Sequence, residues 1–151
     1  MLRSIKSLQE LSGKRVILRC DFNVPLVDGE ITDDGRIRAA LPTIKHLVAA
    51  GARVIICSHL GRPDGQVNPE YSLAPVASRL EELLGQPVIF SADTVGTQAK
   101  AASKVLENGG VALLENLRFS NLETSPEEAE REEFAKSLAE LGDIMVSDGF
   151  G

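Results

Sequence analysis

The sequence predicts an α/β protein, with an open and mainly parallel β-sheet flanked by helices in a Rossmann-like arrangement of three layers. Two observations lead to this prediction. Short runs rich in β-branched residues alternate with longer amphipathic segments, and each run is almost continuously apolar, which is typical of strands buried on both faces of a parallel sheet. The five predicted strands are Arg15–Cys20, Arg53–Ser58, Pro87–Phe90, Val111–Leu114 and Ile144–Ser147.

The first predicted helix covers Arg36–Ala50, between the first and second strands. It stops at Gly51, a residue type that readily adopts the left-handed conformation found just after helices. Pro42 lies inside this helix and has no backbone N–H to donate, so the sequence predicts a kink or a delayed start there.

The second predicted helix covers Leu73–Leu84, between the second and third strands. Ser72 is its predicted N-cap, because a serine hydroxyl can accept a hydrogen bond from the first free backbone amides. Pro75 falls in the first turn, where proline is tolerated, and Gly85 marks the end.

The third predicted helix lies between the fourth and fifth strands. Ser125 is its predicted N-cap, Pro126 takes the first helical position, and Glu128 stands three residues after the cap, which is the capping-box pattern. Gly142 marks its end. The acidic run from residue 127 to residue 133 is interpreted as a solvated face of this helix.

Length and composition limit the class of protein. A chain of 151 residues is about the size of one domain, and 43% hydrophobic with 25% charged residues indicates a globular rather than a disordered or fibrous chain. The net charge of −6 would repel nucleic acids and anionic membrane surfaces, so neither is expected as a partner. No segment resembles a signal peptide or reaches the roughly 18 apolar residues of a membrane span, and the expected location is the cytoplasm.

The cysteines and one histidine are interpreted as structural residues. Cys20 and Cys57 fall in apolar strands and are expected to be small buried side chains, and His46 a surface or packing residue of the first helix. The chain has no paired Cys/His spacing for zinc and no GxxxxGK[ST] phosphate-binding loop. No metal site and no nucleotide site is therefore expected in this chain.

Polar and basic residues follow four of the predicted strands. In an open parallel sheet, ligands bind beyond the carboxyl ends of the strands, so these positions are the first candidates for a site. The segments that follow the strands are DFNVP, HLGRP, ENLRF and DGFG, and one more arginine stands where the first long loop enters its helix. The candidate residues are Asp21, Asn23, Arg36, His59, Arg62, Arg118 and Asp148.

Basic side chains that gather at one edge of an acidic protein favour a small anion as the ligand. The planar guanidinium group of arginine matches the geometry of a carboxylate or phosphate, and one charge-assisted hydrogen bond is worth about 1.5–3 kcal/mol. Asp21 and Asn23 provide acceptors and a donor for a hydroxyl group. Together these groups indicate a site for a small hydroxylated phosphate or carboxylate.

Taken singly, each candidate also has an ordinary structural explanation. Asp21 and Asn23 suit a turn that leaves a strand, and Arg118 suits a surface ion pair with Glu115 or Glu123. His59 suits a strand end, Arg62 suits a tight loop, and Arg36 suits an exposed helix position. These explanations do not predict that all the candidates share one edge of the sheet, and that shared location favours the ligand site.

Six segments together resemble the phosphoglycerate kinase family. They are RCDFNVP, ITDDGRIRAALPTI, SHLGRPDG, YSLAPVA, LLENLRF and the terminal SDGFG, in the order and at about the spacing of that family. The resemblance runs from Lys6 to Gly151. The family more commonly has NDAFG at the last of these segments, and the small substitutions here keep the acidic residue Asp148.

The resemblance implies an enzyme of two α/β lobes that carries out reversible phosphoryl transfer in glycolysis as a monomer. The N-terminal lobe binds 3-phosphoglycerate or 1,3-bisphosphoglycerate, and the C-terminal lobe binds Mg-ADP or Mg-ATP. It also implies that Asp21 and Asn23 hold the substrate hydroxyl and the adjacent carboxyl end, and that Arg36 is catalytic and stabilises the transferring phosphoryl group. The basic patch that grips the other phosphate would consist of His59, Arg62 and Arg118.

Residues 1–151 are accordingly interpreted as the N-terminal, substrate-binding lobe, truncated before its last segment and without the nucleotide-binding lobe. We expect this polypeptide alone to be inactive and to bind no nucleotide. The alternative is a stand-alone anion-binding module without kinase activity. A dinucleotide-binding domain is disfavoured because no GxGxxG follows the first strand.

Overall fold

Seven strands and four helices make up the described part of the computed structural model, which covers residues 13–20, 22, 24, 26–27, 30–58, 72–94, 96–117 and 127–148. The strands are β1 (Arg15–Cys20), β2 (Leu26–Val27), β3 (Glu30–Ile31), β4 (Arg53–Cys57), β5 (Val88–Ser91), β6 (Val111–Leu114) and β7 (Ile144–Asp148). The helices are α1 (Gly35–Ala49), α2 (Ala74–Leu84), α3 (Thr97–Val105) and α4 (Glu128–Ala139). Five strands pair in parallel in the order β5-β6-β4-β1-β7, and β2 and β3 form a small antiparallel hairpin.

The three inner strands of the central sheet, β6, β4 and β1, are largely buried on both faces, as their apolar sequences predict, whereas Ile89 of β5 and Met145 of β7, on the edge strands, are 38% and 53% exposed. Alternate residues of β1 point to opposite sides, so Val16 and Leu18 pack in one hydrophobic cluster and Ile17 in the other. The first cluster includes buried residues of α1 and α2, and the second includes buried residues of α3 and α4. The structure therefore has three layers, which confirms the predicted fold class.

All five predicted strands of the sheet are confirmed, and each predicted end lies within one residue of the observed end. Cys20 and Cys57 are buried, as their apolar surroundings predict, and they form no disulfide. Burying one large aliphatic side chain contributes about 1.5–3 kcal/mol. The apolar runs that made these strands recognisable are thus also the main source of stability.

The first helix, α1, begins before Pro42 and continues through it. The predicted delay of the helix start is therefore wrong. Ile37 and Ile44, on either side of the proline, are both fully buried, and their packing holds the two parts of the helix on the sheet. Gly51 follows the helix with a φ of 82°, as predicted for its end, and His46 is an exposed residue of the last turn.

The second helix, α2, has Leu73 rather than Ser72 at its N-cap position, which corrects the prediction by one residue. The Ser72 hydroxyl still accepts a hydrogen bond from the Ala74 amide at 3.2 Å. The helix ends at Leu84, and Gly85 adopts the predicted left-handed conformation with a φ of 71°.

The last helix, α4, begins at Glu128 and has Glu127 as its N-cap, so the capping box predicted from Ser125 is wrong. Glu127 has an extended backbone, with a φ of −80° and a ψ of 117°, and this conformation ends the helix on that side. Ser125 and Pro126 themselves lie outside the described residues. The interpretation of the acidic run as a solvated face is confirmed by the exposed residues Glu127, Glu128, Glu132 and Glu133.

Two observed features were not predicted. Helix α3 has the sequence TQAKAASKV, and its buried residues are the small Ala99, Ala102 and Ser103. Without large apolar residues at helical spacing, the segment carries little periodic signal. The β2–β3 hairpin has only two residues in each strand, too few to show alternation.

Candidate functional site

The carboxyl ends of the parallel strands lie along one edge of the sheet. Arg19 is paired with Cys57, and Cys20 with Asp148, so β1, β4 and β7 end side by side. Strand β6 is the other neighbour of β4. The chain segments that carry the predicted site residues therefore leave the sheet from adjacent strands.

Of the predicted site residues, only Arg36 has both its backbone and its side chain among the described residues. It is the second residue of α1, and its side chain is exposed. The backbone of Asp148 is the last position of β7. The other predicted residues lie outside the described residues, and their roles stay predictions: Asp21, Asn23, His59, Arg62 and Arg118.

Ser58 joins three of the converging segments. This residue follows β4 directly and is fully buried. Its hydroxyl oxygen accepts a hydrogen bond from the Phe22 amide at 2.9 Å, and its carbonyl oxygen accepts one from the Leu117 amide at 3.0 Å. The segments after β1 and β6, which contain Asp21 and Arg118 in the sequence, are thus tied to the point where the HLGRP segment begins.

Glu115 provides a second buried connection at the same edge. It follows β6 and is 8% exposed. One carboxylate oxygen, Oε1, accepts hydrogen bonds from the Leu73 amide at 2.8 Å and the Asn116 amide at 2.9 Å, and Oε2 accepts one from the Ser72 hydroxyl at 2.7 Å. The carboxylate therefore holds the start of α2 against the end of β6.

Asp93 makes an equivalent connection one strand further along the sheet. It follows β5, and its carboxylate accepts hydrogen bonds from the Gln98 amide at 3.0 Å and the Ala99 amide at 2.7 Å, at the start of α3. A carboxylate near the first turn of a helix satisfies free backbone amides and interacts favourably with the helix dipole. No predicted site residue follows β5, so this connection is structural.

Asp34 links the start of α1 to α2. Arg38 donates from Nε to Oδ1 of Asp34 at 3.0 Å, and Arg79 donates from Nε and Nη2 to Oδ2 at 2.8 Å each. These hydrogen bonds, that of Arg38 first, hold the pKa of Asp34 below its ordinary value of 3.8. The turn that leads into α1, and with it the backbone next to Arg36, is therefore attached to a second helix.

A cleft of about 840 Å³ lies between this turn and α2. Its lining includes the carboxylates of Glu30, Asp33, Asp34 and Glu82, with Arg79 as the basic residue. Since Arg79 is already paired with Asp34, the cleft is unfavourable for an anion. It is therefore distinct from the predicted anion site.

Neither Ser58 nor Glu115 was predicted from the sequence to be a site residue. Glu115 was interpreted as a possible surface partner of Arg118, but the carboxylate is buried and accepts three hydrogen bonds from other groups. The available signal was its position: a charged residue directly after the fully buried run VALL is placed where water is scarce. Its partner segment is 42 residues away in sequence, and only the fold brings the two together.

No group of three or more His, Cys, Asp or Glu side chains among the described residues is arranged to hold a metal ion. None of the described helices is long and apolar enough to cross a membrane.

The parallel sheet, covered by helices on both sides, defines an α/β domain of the doubly wound class. The family model for phosphoglycerate kinase matches residues 5–151. The chain therefore belongs to the phosphoglycerate kinase family, and the resemblance found in the sequence is confirmed.

Individual relatives agree with this assignment. The phosphoglycerate kinase of Leifsonia xyli subsp. xyli is 63% identical over 150 residues, and that of Bifidobacterium adolescentis 56% identical over 150 residues; in both cases the match covers 99% of this chain and 37% of the relative. The crystal structure of phosphoglycerate kinase from Pyrococcus horikoshii OT3 has a TM-score of 0.87 at 38% identity, covering 99% of this chain and 37% of that one. The structure of phosphoglycerate kinase from Coxiella burnetii has a TM-score of 0.83 at 42% identity, covering 99% and 36%. The chain thus spans little more than a third of the length of these relatives.

Proposed function

We propose that this chain is the N-terminal, acid-substrate lobe of a phosphoglycerate kinase. The full-length enzyme transfers a phosphoryl group reversibly between 1,3-bisphosphoglycerate with ADP and 3-phosphoglycerate with ATP. The Ser58 junction is the observation that carries the proposal, since one buried residue ties together the strand ends from which the DFN, HLGR and NLR segments leave. Membership of the family supports it.

Each candidate residue has a distinct role in this proposal. Asp21 and Asn23 hold the hydroxyl group of the glycerate and the adjacent carboxyl end. Arg36 lies beside that carboxyl end and stabilises negative charge on the phosphoryl group during transfer. The phosphate that is not transferred is gripped by His59, Arg62 and Arg118.

The proposed roles suit the chemistry of phosphoryl transfer. This reaction needs the attacking and leaving oxygens in line and the charge on the equatorial oxygens neutralised, and it needs no nucleophile from the protein. An arginine at the rim of a parallel sheet can supply that neutralisation without forming a covalent bond. Mg-ADP or Mg-ATP is the second substrate and is held by the other lobe of the full-length enzyme, which works on small molecules as a cytoplasmic monomer.

Replacing Arg36 in the full-length enzyme tests the proposal. We expect Arg36→Ala to lower kcat by about 10²- to 10³-fold, the loss typical of one group that stabilises charge in the transition state. Arg36→Lys should restore only part of this loss, because an ammonium group lacks the planar fork. Steady-state kinetics with 3-phosphoglycerate and Mg-ATP provide the measurement.

Arg53→Ala is the matched control. Arg53 begins β4 at the opposite edge of the sheet and donates to Asn108 Oδ1 at 3.1 Å, so the variant removes the same charge far from the proposed site. It should leave kcat within about twofold of the wild type. A full-length wild-type enzyme that transfers no phosphoryl group, or an Arg36→Ala variant as active as Arg53→Ala, would contradict the proposal. The 151-residue chain alone should show no turnover.

A further inference from the structure

The segment from residue 59 to residue 71 carries two of the proposed phosphate-binding residues. The residues on either side of it are hydrogen-bonded to other parts of the fold. On one side, Ser58 is bonded to the Phe22 and Leu117 amides. On the other side, Ser72 and Leu73 are bonded to the carboxylate of Glu115. The first connection ends on the segments that follow β1 and β6, and the second ends on the segment that follows β6. The two ends of the segment are therefore anchored to the rest of the proposed site.

Glu115 is well suited to this anchoring role. Its two carboxylate oxygens accept hydrogen bonds from the Ser72 hydroxyl and from two backbone amides, all between 2.7 and 2.9 Å. Hydrogen bonds to an ionised acceptor are stronger than those between neutral groups, and burial makes their loss more costly. The same residue lies only three positions before Arg118 in the sequence. One side chain thus fixes the end of the HLGRP-containing segment relative to the segment that contains Arg118.

We propose that Glu115 is a positioning residue for the acid substrate: it holds Ser72 and Leu73, which directly follow the 59–71 segment, against the end of β6, and binding of the acid substrate depends on this connection. Glu115 does not contact the substrate in this proposal. The inference rests on the proposed function, because it assigns the substrate whose binding Glu115 supports.

Asp93 provides the control that distinguishes a positioning role of Glu115 from a purely stabilising one. Both residues follow a strand and use a carboxylate to hold the start of the next helix in space, α2 for Glu115 and α3 for Asp93. The segment after β5 carries no proposed substrate ligand. Asp93→Ala also keeps the backbone carbonyl oxygen that accepts the Glu115 amide at 3.4 Å. If Glu115 only stabilised the fold, the two variants would affect the enzyme in the same way.

The experiment compares Glu115→Ala, Glu115→Gln and Asp93→Ala in the full-length enzyme. We expect Glu115→Ala to raise KM for 3-phosphoglycerate by about tenfold and to change KM for Mg-ATP by less than about twofold. Glu115→Gln keeps the size of the side chain and one oxygen acceptor, and should raise KM for 3-phosphoglycerate by about threefold. This milder variant decides the matter if Glu115→Ala does not fold. Asp93→Ala should change neither KM by more than about twofold.

Hydrogen exchange gives a second readout that does not depend on turnover. Glu115→Ala, or Glu115→Gln if the first variant does not fold, should speed amide exchange in residues 59–73, whereas Asp93→Ala should speed it in residues 96–105. Unchanged exchange in residues 59–73 would overturn the positioning role whatever the kinetics. The positioning role would also be overturned if a Glu115 variant raised both KM values equally. It would likewise be overturned if Asp93→Ala raised KM for 3-phosphoglycerate as much as Glu115→Ala does. A wild-type enzyme without phosphoryl transfer would overturn the proposed function instead, while the exchange measurement would still decide whether Glu115 anchors the segment.

Discussion

Backbone hydrogen bonds predominate at the amino edge of the central sheet, and side-chain acceptors are more prominent at the carboxyl edge. At the amino edge, the Gly13 amide donates to the Gly51 carbonyl at 3.0 Å and the Val54 amide to the Gly110 carbonyl at 2.9 Å, and one side-chain acceptor, the Asp143 carboxylate, accepts from the Arg15 amide at 2.9 Å. At the carboxyl edge, side-chain acceptors hold backbone amides, and they belong to Ser58, Asp93 and Glu115. Hydrogen bonds between backbone groups depend on how closely two parts of the chain can approach each other. Hydrogen bonds to side-chain acceptors depend on a few particular polar residues.

This difference follows from the lengths of the connections. Helices lead into strands through the short ranges 50–52, 85–87, 106–110 and 140–143, whereas β4 and β6 lead into helices through 58–73 and 115–127. Long connections of this kind are where ligand-binding residues are most often found. A long connection needs anchors from elsewhere in the fold, and buried polar side chains provide them here. We therefore expect changes at the amino edge to affect stability alone, whereas changes at Ser58 and Glu115, which hold the long connections at the carboxyl edge, should affect stability and substrate binding together.

The largest effect is expected at the amino edge, from Gly142→Ala. A Cβ atom at this position would lie 2.8 Å from Ile17 Cγ1 and 2.9 Å from the Arg15 carbonyl oxygen. Ile17 is 1% exposed and has little room to move, so we expect a loss of about 3 kcal/mol in the free energy of unfolding. Urea unfolding of the chain measures it.

Gly85→Ala is the control for that variant. Its Cβ would meet nothing within 4 Å, and only its φ of 71° opposes the substitution, so the loss should be about 1 kcal/mol. Equal losses in the free energy of unfolding for the two variants would contradict the steric clash predicted for a Cβ atom at position 142. In the full-length enzyme, neither variant should alter KM for 3-phosphoglycerate.

A smaller loss of stability, together with a change in binding, is expected at the carboxyl edge from Ser58→Ala. The variant leaves the Phe22 amide without its hydroxyl acceptor in a buried place, at a cost of about 2 kcal/mol. Because the junction also orients the segments of the proposed site, KM for 3-phosphoglycerate should rise in the full-length enzyme. Ser103→Ala removes another buried hydroxyl, one that only donates to the Lys100 carbonyl within α3, and should leave KM unchanged. If both variants leave KM unchanged, the two edges do not differ in function.

The smallest effect concerns Asp34, which lies at the start of α1 on the carboxyl side of the sheet and is partly exposed. Its pKa is lower in the folded protein than in the unfolded chain, so its contribution to stability is present above the unfolded value and is lost as pH falls through the folded value. Arg79→Ala should raise the pKa of Asp34 toward 3.8 and reduce stability near neutral pH but not in strong acid. Carboxyl ¹³C chemical shifts measured against pH report the pKa. An unchanged pKa of Asp34 in Arg79→Ala would contradict the ion pair, and the Arg53→Ala control should leave that pKa as it is in the wild type.

The strands were predictable for a physical reason, and so was the place of the site. Runs such as RVILRC and VALL are apolar on both faces because both faces are covered by helices. The polar segments that follow them belong at the carboxyl edge of any parallel sheet. Helix α3 escaped prediction because its buried face is built from alanine and serine. The N-cap of α2 was misplaced because Ser72 and Leu73 are held by Glu115, which lies in a distant part of the sequence.

The sequence by itself determined the α/β class, the strands of the central sheet, the family and the segments in which the candidate residues lie, because these depend on local composition and on order along the chain. Only the tertiary structure decided that Glu115 is a buried acceptor rather than a surface charge, and that Ser58 joins the segments after β1 and β6. Apart from Asn116, which is next to Glu115, their partners lie between 36 and 59 residues away in sequence, as for Phe22 with Ser58 and Leu117 with Ser58. Hydrogen bonds over such separations leave no periodic or local pattern, and they exist only once the packed sheet has brought the strand ends together.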